Sequence, residues 1–403
     1  MPLAVYILGL SIFAQGTSEL MLAGLLPEMA ADLQVSVPEV GLLISAFAIG
    51  MLVGAPVLAV VTLRWPRRTA LLTFMAVFVL SHVVGALTSS YGMLFATRVA
   101  GAFVYAGFWA VAAGTVIGLV PVASRGRAMS VLAGGLTVAT VIGLSAGTVI
   151  GQHLGWRAAF WTVAGMTVLT AIGLVATIPG GRPATEALPR VSAELRSMIN
   201  PRLWLAYGTT ALTTGALLAT FGYLSVLLVD TTGLDSAWVP AVLALYGAGS
   251  LIGITIGGRT ADARPFPTLY AGVAGLVVTS VALSMGASVP AVAIALVFLL
   301  GAFGFVTNPA LNTRAFALAK DAPTLAAAGN VSAFNVGITA GPWLGGLAID
   351  AGLGYPSVAW IGAAIGVVSL ATVALGAGLH RRDLAAREDA QETAGGGEIR
   401  SAV

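Results

Sequence analysis

The sequence contains no cysteine, a single lysine and three histidines. Without cysteine the chain can form neither a disulfide nor a thiolate metal site. Lys320 does not end the glycine pattern of a phosphate-binding P-loop, which argues against ATP hydrolysis by that route. His82, His153 and His380 lie far apart in sequence, without the spacing of a metal enzyme. We therefore expect a protein that is not an enzyme and that holds no metal or other cofactor.

Charge is also scarce, since only 9% of the 403 residues are charged, whereas soluble domains carry about 25%. Hydrophobic residues make up 58% of the chain, more apolar surface than a chain of this length can bury in a core of its own. The lipid bilayer is therefore the expected solvent. The first residues, MPLAVYILGLSIF, lack the basic region and cleavage site of a signal peptide and are predicted to begin a membrane helix.

Apolar runs bounded by charged residues, proline or glycine predict the number of membrane helices. A spanning helix needs about 20 mostly apolar residues, and twelve runs qualify. Their predicted ranges are 4–26, 40–62, 69–88, 92–119, 128–152, 158–178, 203–228, 238–258, 268–287, 290–313, 325–349 and 357–379. The predicted fold class is all-α and integral to the membrane.

Arginines predict the orientation of these spans. They concentrate in every second loop and in the C-terminal tail, so the positive-inside rule places both termini in the cytoplasm. Only Arg98 and Arg157 fall elsewhere. The loops predicted to lie outside hold acidic residues instead, and we expect Glu28, Asp32 and Glu39 to be solvated there.

A polar segment divides the chain. Residues 179–202 are a predicted cytoplasmic linker between two six-helix halves, 1–178 and 203–379. The charged, glycine-rich residues 380–403 are predicted to be a flexible cytoplasmic tail.

Glycine motifs recur in the same order in the two halves. Gly50 and Gly54 match Gly249 and Gly253, and Gly143, Gly147 and Gly151 match Gly337, Gly341 and Gly345. Repeated halves are typical of transporters whose binding site lies between them, near the bilayer midplane. Glycines of this kind also suit plain close packing of helices, so a gating role and a packing role both stay open.

Several motifs resemble those of the major facilitator superfamily, over essentially the whole chain. In that superfamily the loop between spans two and three carries Gly-xxx-Asp-Arg-x-Gly-Arg-Arg. The second half keeps Gly258-Arg259-Thr260-Ala261-Asp262, whereas the first half has lost the acidic residue. Arg98 matches the arginine of span four, and the segment from Gly143 to Gly147 resembles the antiporter motif without its usual proline. The resemblance implies twelve transmembrane helices in two pseudo-symmetric halves.

Within the superfamily, several segments resemble the twelve-span drug:proton antiporters, in particular actinobacterial chloramphenicol exporters. These segments are GTSELMLAGLLP (16–27), VGLLISAFAIGMLVGAP (40–56), RWPRR (64–68), SHVVGA (81–86) and GWRAAFW (155–161). The second half, notably residues 308–330, is more similar to sugar- and nucleoside-efflux relatives.

This resemblance implies proton-coupled efflux of small amphipathic compounds, such as chloramphenicol, by alternating access. It further implies a monomer in the bacterial inner membrane, driven by the proton gradient. Efflux of sugars or nucleosides, and a passive facilitator without proton coupling, are the alternatives. Nothing in the sequence suggests a nucleic-acid partner.

Glu19 lies within the first predicted span, where a charge at the bilayer centre costs roughly 2.5–3.5 kcal/mol. At 1.5 Å per residue, Glu19 and Arg98 fall at a similar depth in the outer half of the membrane. We interpret Glu19 as the residue that binds the coupling proton, beside Arg98. A static ion pair that orients helices, or a purely structural Arg98, remains open. His82, at a comparable level, is interpreted as a helix-packing residue.

Polar and aromatic residues on the predicted cavity-lining spans are the candidate substrate contacts. They are Gln15, Tyr105, Phe108, Trp109, Thr213, Phe221, Tyr246, Phe303, Asn308 and Asn335. Aromatic walls with a few hydrogen-bonding groups suit a small amphipathic aromatic compound, and the amides keep a sugar possible. The candidate gating residues are Gly143, Gly147, Asp262, Gly341 and Pro342.

Overall fold

The computed structural model describes residues 1–62, 65–121, 124–178, 200–261, 263–319 and 323–401. Within these ranges the chain is helical and contains no β-strand. Twelve long helical segments, α1 to α12, follow one another, and some are interrupted by a turn of another helix type.

The first six segments form the N-terminal half. They are α1 (Leu3–Leu20, continued by a 3₁₀ turn over Met21–Gly24), α2 (Val37–Val61), α3 (Arg67–Leu87), α4 (Tyr91–Leu119), α5 (Arg125–Val138 and Leu144–Leu154, joined by a π-helical turn over Ala139–Gly143) and α6 (Trp156–Thr177). A short helix, Leu26–Leu33, connects α1 to α2.

The remaining segments form the C-terminal half. They are α7 (Pro201–Phe221, then Leu224–Val226 and a π-helical turn over Leu227–Thr231), α8 (Val239–Thr260, preceded by a 3₁₀ turn over Ser236–Trp238), α9 (Pro265–Gly286), α10 (Pro290–Leu318), α11 (Pro323–Asp350) and α12 (Ser357–Ser401).

Each predicted span coincides with one of these helices, and most ends agree within a few residues. In the described part of the chain, eleven helices are long and apolar enough to cross a membrane. The exception is α11, whose 28 residues include Asn330 and Asn335. α12 continues to Ser401, so it includes most of the predicted tail. Residues 380–394 contain no proline or glycine and many alanine, arginine and glutamate residues, which favour helix.

Local sequence explains where several helices begin. Asn200 caps α7 by accepting a hydrogen bond from the Arg202 backbone N–H, and Pro201 follows in the first turn, where its missing N–H costs nothing. α5 and α6 are separated by Gly155 alone, whose φ of 83° lies in the left-handed region that favours glycine.

The same pairs of helices pack together in each half. In the N-terminal half α1 packs on α5 and α6, α2 on α4, and α3 on α4 and α6. In the C-terminal half α7 packs on α11 and α12, α8 on α10, and α9 on α10 and α12. The packing therefore repeats with the order of the helices.

Glycines set the closest of these repeated contacts. A Cβ atom at Gly50 would collide with the Val99 carbonyl oxygen, and one at Gly249 with the Phe298 carbonyl oxygen. Gly50 and Gly249 are 199 positions apart in the chain, and so are Val99 and Phe298. Since only glycine lets α2 approach α4, and α8 approach α10, to this distance, the repeated motif follows from backbone packing.

The glycines of α5 and α11 correspond in a register that differs from the sequence match. Gly143 faces Thr17 of α1. Gly341 lies between Gly215 and Ala219 of α7, whose counterparts at the 199-residue offset, Gly16 and Leu20, flank Thr17. Gly337 lies one turn earlier, between Ala211 and Gly215. The counterpart of Gly143 is therefore Gly341 and not Gly337. A motif with glycine at every fourth position looks the same after a shift of one helical turn, so the sequence alone gave no means to choose.

The two halves meet through α2 with α11 and through α5 with α8. The Ser45 hydroxyl donates to the Thr339 carbonyl at 2.8 Å across the first contact. The Gln152 amide donates to the Ser236 carbonyl at 2.8 Å across the second. The Ser225 hydroxyl donates to the Ala23 carbonyl at 2.6 Å, where α1 and α7 end. These bonds lie toward the predicted outer side of the bundle.

Candidate functional site: a buried polar cluster in the N-terminal half

Glu19 lies at the end of α1, where the α-helix gives way to a 3₁₀ turn. Its side chain is half-buried. Arg98 is close enough to interact with it electrostatically. Nevertheless, among the described residues no salt bridge within 4.0 Å involves Glu19. The acid and the base are thus neighbours without direct contact.

Arg98, in α4, is only 2% exposed and is held by two contacts. Its Nη1 atom donates to the Ser18 hydroxyl at 2.7 Å. Its guanidinium carbon lies 4.4 Å from the ring centroid of Phe47, within cation–π range. Its Nε and Nη2 atoms are buried without a hydrogen-bond partner among the described residues. The guanidinium therefore keeps unused donors beside Glu19.

His82, in α3, is joined to the same cluster. Its Nδ1 atom lies 2.8 Å from the Phe78 carbonyl, and because a carbonyl only accepts, Nδ1 carries the hydrogen. Its Nε2 atom lies 2.6 Å from the Ser18 hydroxyl. In the neutral ring Nε2 accepts, so Ser18 donates to His82 while it accepts from Arg98. The sequence interpretation of His82 as a packing residue missed this bond, although its predicted depth matched that of Arg98.

Aromatic side chains of α2, α3 and α4 surround the cluster. The rings of Phe47 and Phe78 lie 5.9 and 6.2 Å from that of Tyr105. Trp109 donates through Nε1 to the Tyr105 hydroxyl at 3.0 Å. Phe108 is fully buried on the same helix. Because Arg98 is buried within this largely apolar shell, its charge interacts more strongly with neighbouring charges than it would in solvent.

A second aromatic group forms in the C-terminal half. Phe221 of α7 stacks on Tyr246 of α8 with ring centroids 4.4 Å apart. Phe305 of α10 meets Tyr246 edge-on at 6.3 Å. The structure thus brings two of the predicted substrate contacts together and adds Phe305 to them.

Two other predicted contacts face helices of their own half. The Thr213 hydroxyl is 2.7 Å from the Ser369 hydroxyl in α12. The ring of Phe303 fills the space beside Gly275 in α9. Their polar or aromatic character, on which the prediction rested, is therefore used in packing α7 and α10 against neighbouring helices.

The predicted amide contacts keep unused acceptors. Gln15 and Asn335 each donate to a carbonyl of their own helix, at 3.3 and 2.9 Å. The side-chain oxygens of both are buried without a partner among the described residues. Asn308 is half-buried, and its backbone carbonyl accepts from Asn312. A ligand with hydroxyl or amide donors could satisfy such oxygens.

The predicted gating glycines pack helices within a half. Gly143 and Gly147 face α1, and Gly341 faces α7. Pro342 accepts a hydrogen bond through its carbonyl from the Tyr223 hydroxyl at 3.0 Å. Asp262 lies outside the described residues.

Contacts between the halves involve other glycines. A Cβ atom at Gly247 of α8 would lie 2.6 Å from the Cα atom of Val141, in the π-helical turn of α5. Tyr223, fully buried at the end of α7, fits between Gly41 of α2 and Gly346 of α11. These close contacts were not predicted, because a single glycine in an apolar helix gives no sign of what it faces.

An ion pair near the predicted outer surface joins the short helix Leu26–Leu33 to α6. Arg157 donates to the Asp32 carboxylate and, at 3.2 Å, to the Thr88 carbonyl. Trp156 donates through Nε1 to Asp32 at 3.1 Å. The Arg157 hydrogen bond lowers the pKa of Asp32, and the Trp156 bond contributes in the same direction. Asp32 is therefore exposed, as expected, and is also paired with Arg157.

Comparison with known proteins identifies the family of this bundle. A family model described as Major Facilitator Superfamily matches residues 8–332. The chain belongs to the Major Facilitator Superfamily. The predicted family and fold class are thereby confirmed, and the chain is a multi-pass membrane transporter rather than an enzyme.

Individual superfamily members extend the comparison. The chain is 45% identical to a chloramphenicol resistance protein of Streptomyces lividans, over 85% of this chain and 88% of the relative. It is 34% identical to the inner membrane transport protein YdhP of Escherichia coli K12, over 92% and 95% of the two chains.

A solved structure shares the fold. It is the inward-facing, unoccupied form of a bacterial homologue of the human lysosomal transporter Spinster. The TM-score is 0.68 and the identity 16%, over 93% of this chain and 94% of that one.

Proposed function

We propose that this transporter exports small amphipathic compounds in exchange for protons, with chloramphenicol as the first candidate substrate. The observation that carries the substrate is the 45% identity to a chloramphenicol resistance protein. The proton is assigned to Glu19 because this carboxyl group lies within a membrane helix, half-buried and close to an arginine that it does not touch. A carboxyl group whose neighbouring cation or hydration changes between conformations binds its proton in one and releases it in the other.

The two charged residues have complementary roles in this exchange. Glu19 takes a proton while the site faces the outside and loses it while the site faces the inside. The substrate moves in the opposite direction. Arg98 stabilises the carboxylate after the proton has left, and its unused N–H donors are the means by which it does so.

The substrate site is proposed to lie between the two aromatic groups. Tyr105, Phe108 and Trp109 bind from the N-terminal half, and Phe221 and Tyr246 bind from the C-terminal half. The unpartnered oxygens of Gln15 and Asn335 accept hydrogen bonds from hydroxyl or amide donors of the substrate. Asn308 contributes a further polar group. We assign Thr213 and Phe303 to helix packing because both face their own half.

The remaining proposals concern the oligomeric state, the membrane, the orientation and the energy source of the transporter. The protein works as a monomer in the bacterial inner membrane, with both termini in the cytoplasm. It uses the proton gradient and no cofactor. The arginine distribution between alternate loops supports this orientation.

Everted membrane vesicles with an acidified interior test this function. Added chloramphenicol should release protons from vesicles that contain the wild-type protein, as reported by a pH-sensitive dye, and Glu19→Gln should abolish the release. Glu39→Gln, which removes an exposed carboxylate outside the cluster, is the control and should respond like the wild type. Proton release with sugars or nucleosides alone would reassign the substrate. Efflux that survives a protonophore would indicate a passive facilitator.

A further inference from the structure

The Arg98 guanidinium has a built docking position that does not include Glu19. Ser18 supplies an acceptor at 2.7 Å and Phe47 supplies a ring face at 4.4 Å. Ser18 immediately precedes Glu19 in the chain, and Arg98 interacts with both, through a hydrogen bond to the hydroxyl and electrostatically with the carboxyl group. Arg98 donates to the hydroxyl, although the carboxylate would be the stronger acceptor.

His82 explains why the hydroxyl binds the arginine. The Ser18 hydroxyl has one hydrogen, which points to His82 Nε2 at 2.6 Å. Its lone pairs are thereby free to accept from Arg98. The Phe78 carbonyl fixes the hydrogen of His82 on Nδ1, which keeps Nε2 an acceptor. The orientation of three side chains from α1, α3 and α4 thus follows from one backbone carbonyl.

We propose that Ser18 and His82 are positioning residues that hold Arg98 away from Glu19, so that Glu19 keeps its proton until the arginine moves. This inference rests on the proposed role of Glu19 in proton coupling. Arg98 then has two positions, one at Ser18 while Glu19 is protonated and one at Glu19 after the proton has left. Its buried Nε and Nη2 atoms, unpartnered here, find their acceptor in the second position.

The groups that can influence this equilibrium are few. Within the described residues, the titratable or charged side chains that face the cluster are Glu19 from α1, His82 from α3, and Arg98 and Tyr105 from α4. From α6 the cluster meets an aromatic ring, Phe160, at 5.5 Å from the His82 ring. A change in Arg98 position should therefore act mainly on Glu19.

Infrared spectroscopy of the purified full-length protein in lipid measures the proton on Glu19 without any substrate. The carbonyl stretch of a protonated carboxyl group is followed against pH, and the band that Glu19→Gln removes is assigned to Glu19. In Ser18→Ala the released Arg98 should pair with Glu19. The titration midpoint of the Glu19 band should then move to lower pH by about one unit, which is a tenfold lower proton affinity.

Matched variants separate this effect from a loss of structure. Ser18→Thr keeps the hydroxyl and should keep the wild-type midpoint. Ser11→Ala removes a buried hydroxyl two turns earlier on α1, bonded only to its own helix at 2.9 Å, and should also keep it. His82→Phe, which removes the acceptor, should shift the midpoint in the same direction as Ser18→Ala. His82→Gln, which retains an acceptor, should shift it less.

The outcomes distinguish this inference from the proposed function. A Glu19 band with the same midpoint in Ser18→Ala, Ser11→Ala and the wild type would overturn the docking role and leave proton coupling intact. The absence of any band that depends on Glu19 would overturn both, because Glu19 would then not bind the proton.

Discussion

The two halves of the transporter repeat their packing but not their chemistry. At positions 199 residues apart, glycines of α2 and α8 meet the same backbone atoms of α4 and α10. The same offset relates Ser18, Glu19 and Arg98 to Leu217, Leu218 and Val297. Ionisable groups in one half thus correspond to aliphatic side chains in the other.

This difference separates what the fold needs from what the function needs. Close approach of helices is required in both halves, so glycine is present in both. A buried charge is costly, so at these matched positions the N-terminal half carries Arg98 where the C-terminal half has the fully buried Val297. Single substitutions at matched positions can test this division.

The largest expected effect comes from comparing substitutions of Glu19 and of its aliphatic counterpart, Leu218. Glu19→Gln should abolish proton-driven export, whereas Leu218→Gln, at the matched and equally half-buried position, should retain it. The measurement is export of chloramphenicol from loaded cells with and without a protonophore. Equal loss in both variants would contradict the assignment of proton chemistry to the N-terminal half.

The next effect should be the same in both halves. Gly50→Ala and Gly249→Ala each force a methyl group against a backbone carbonyl, which cannot move aside, and should cost about 1–3 kcal/mol of stability. Thermal unfolding of the purified variants checks this. Gly114→Ala and Gly258→Ala, where a methyl group meets nothing within 4 Å, are the controls and should be neutral or slightly stabilising. A loss of stability from only one of the two substitutions would contradict the structural repeat.

A smaller effect concerns the contact between the halves. Ser45→Ala removes the hydroxyl that donates to the Thr339 carbonyl between α2 and α11, which is worth about 1 kcal/mol, or roughly fivefold in population of the outward-open state. Because the chain has no cysteine, spin labels on introduced cysteines at Ala31 and Leu353 report the distance between the outer ends. The longer distance should gain population.

The control for this measurement is a hydroxyl hydrogen bond within one half. Tyr91 donates to the Glu39 carbonyl at 2.6 Å, and both residues belong to the N-terminal half. Tyr91→Phe should leave the distance distribution unchanged. The same shift in both variants would show that the effect does not depend on the interface.

The smallest effect belongs to the surface pair of Asp32 and Arg157, which has no counterpart among the described residues of the other half. Because the pKa of Asp32 is lowered in the folded protein, its stabilisation is present above the ordinary aspartate pKa of about 3.9 and is lost as the pH falls below it. Asp32→Asn should therefore cost about 0.5 kcal/mol at neutral pH and nothing at strongly acidic pH. Thermal unfolding of Asp32→Asn and the wild type at both pH values measures this effect. A stability difference between them that persists in acid would contradict its origin in the ion pair.

Much of the fold could be predicted because the bilayer imposes a simple requirement on the sequence. Every span must be about 20 residues long and mostly apolar, so composition alone located twelve helices to within a few residues for most ends. The helix that exceeds its predicted end most, α12, continues into polar residues that also favour helix. A hydropathy criterion does not detect such an extension.

The site could be predicted only in part. Glu19 and Arg98 were found because charge inside a membrane helix is costly and therefore conspicuous. His82 and Ser18 were not assigned to the site, because a histidine and a serine are common in packed helices. Only the 2.6 Å contact between them reveals their connection. Thr213 and Phe303 were predicted to line the cavity, but their direction depends on helix rotation, which composition does not give.

The sequence by itself therefore determined the solvent, the number of helices, the repeat and the position of the one acid within the first span. These follow from composition and from spacing along the chain. The tertiary structure decided which glycine faces which backbone, which register relates α5 to α11, and that Arg98 donates to Ser18 rather than to Glu19. Those facts depend on the rotation and depth of each helix relative to its neighbours, which are set by contacts between residues far apart in the chain.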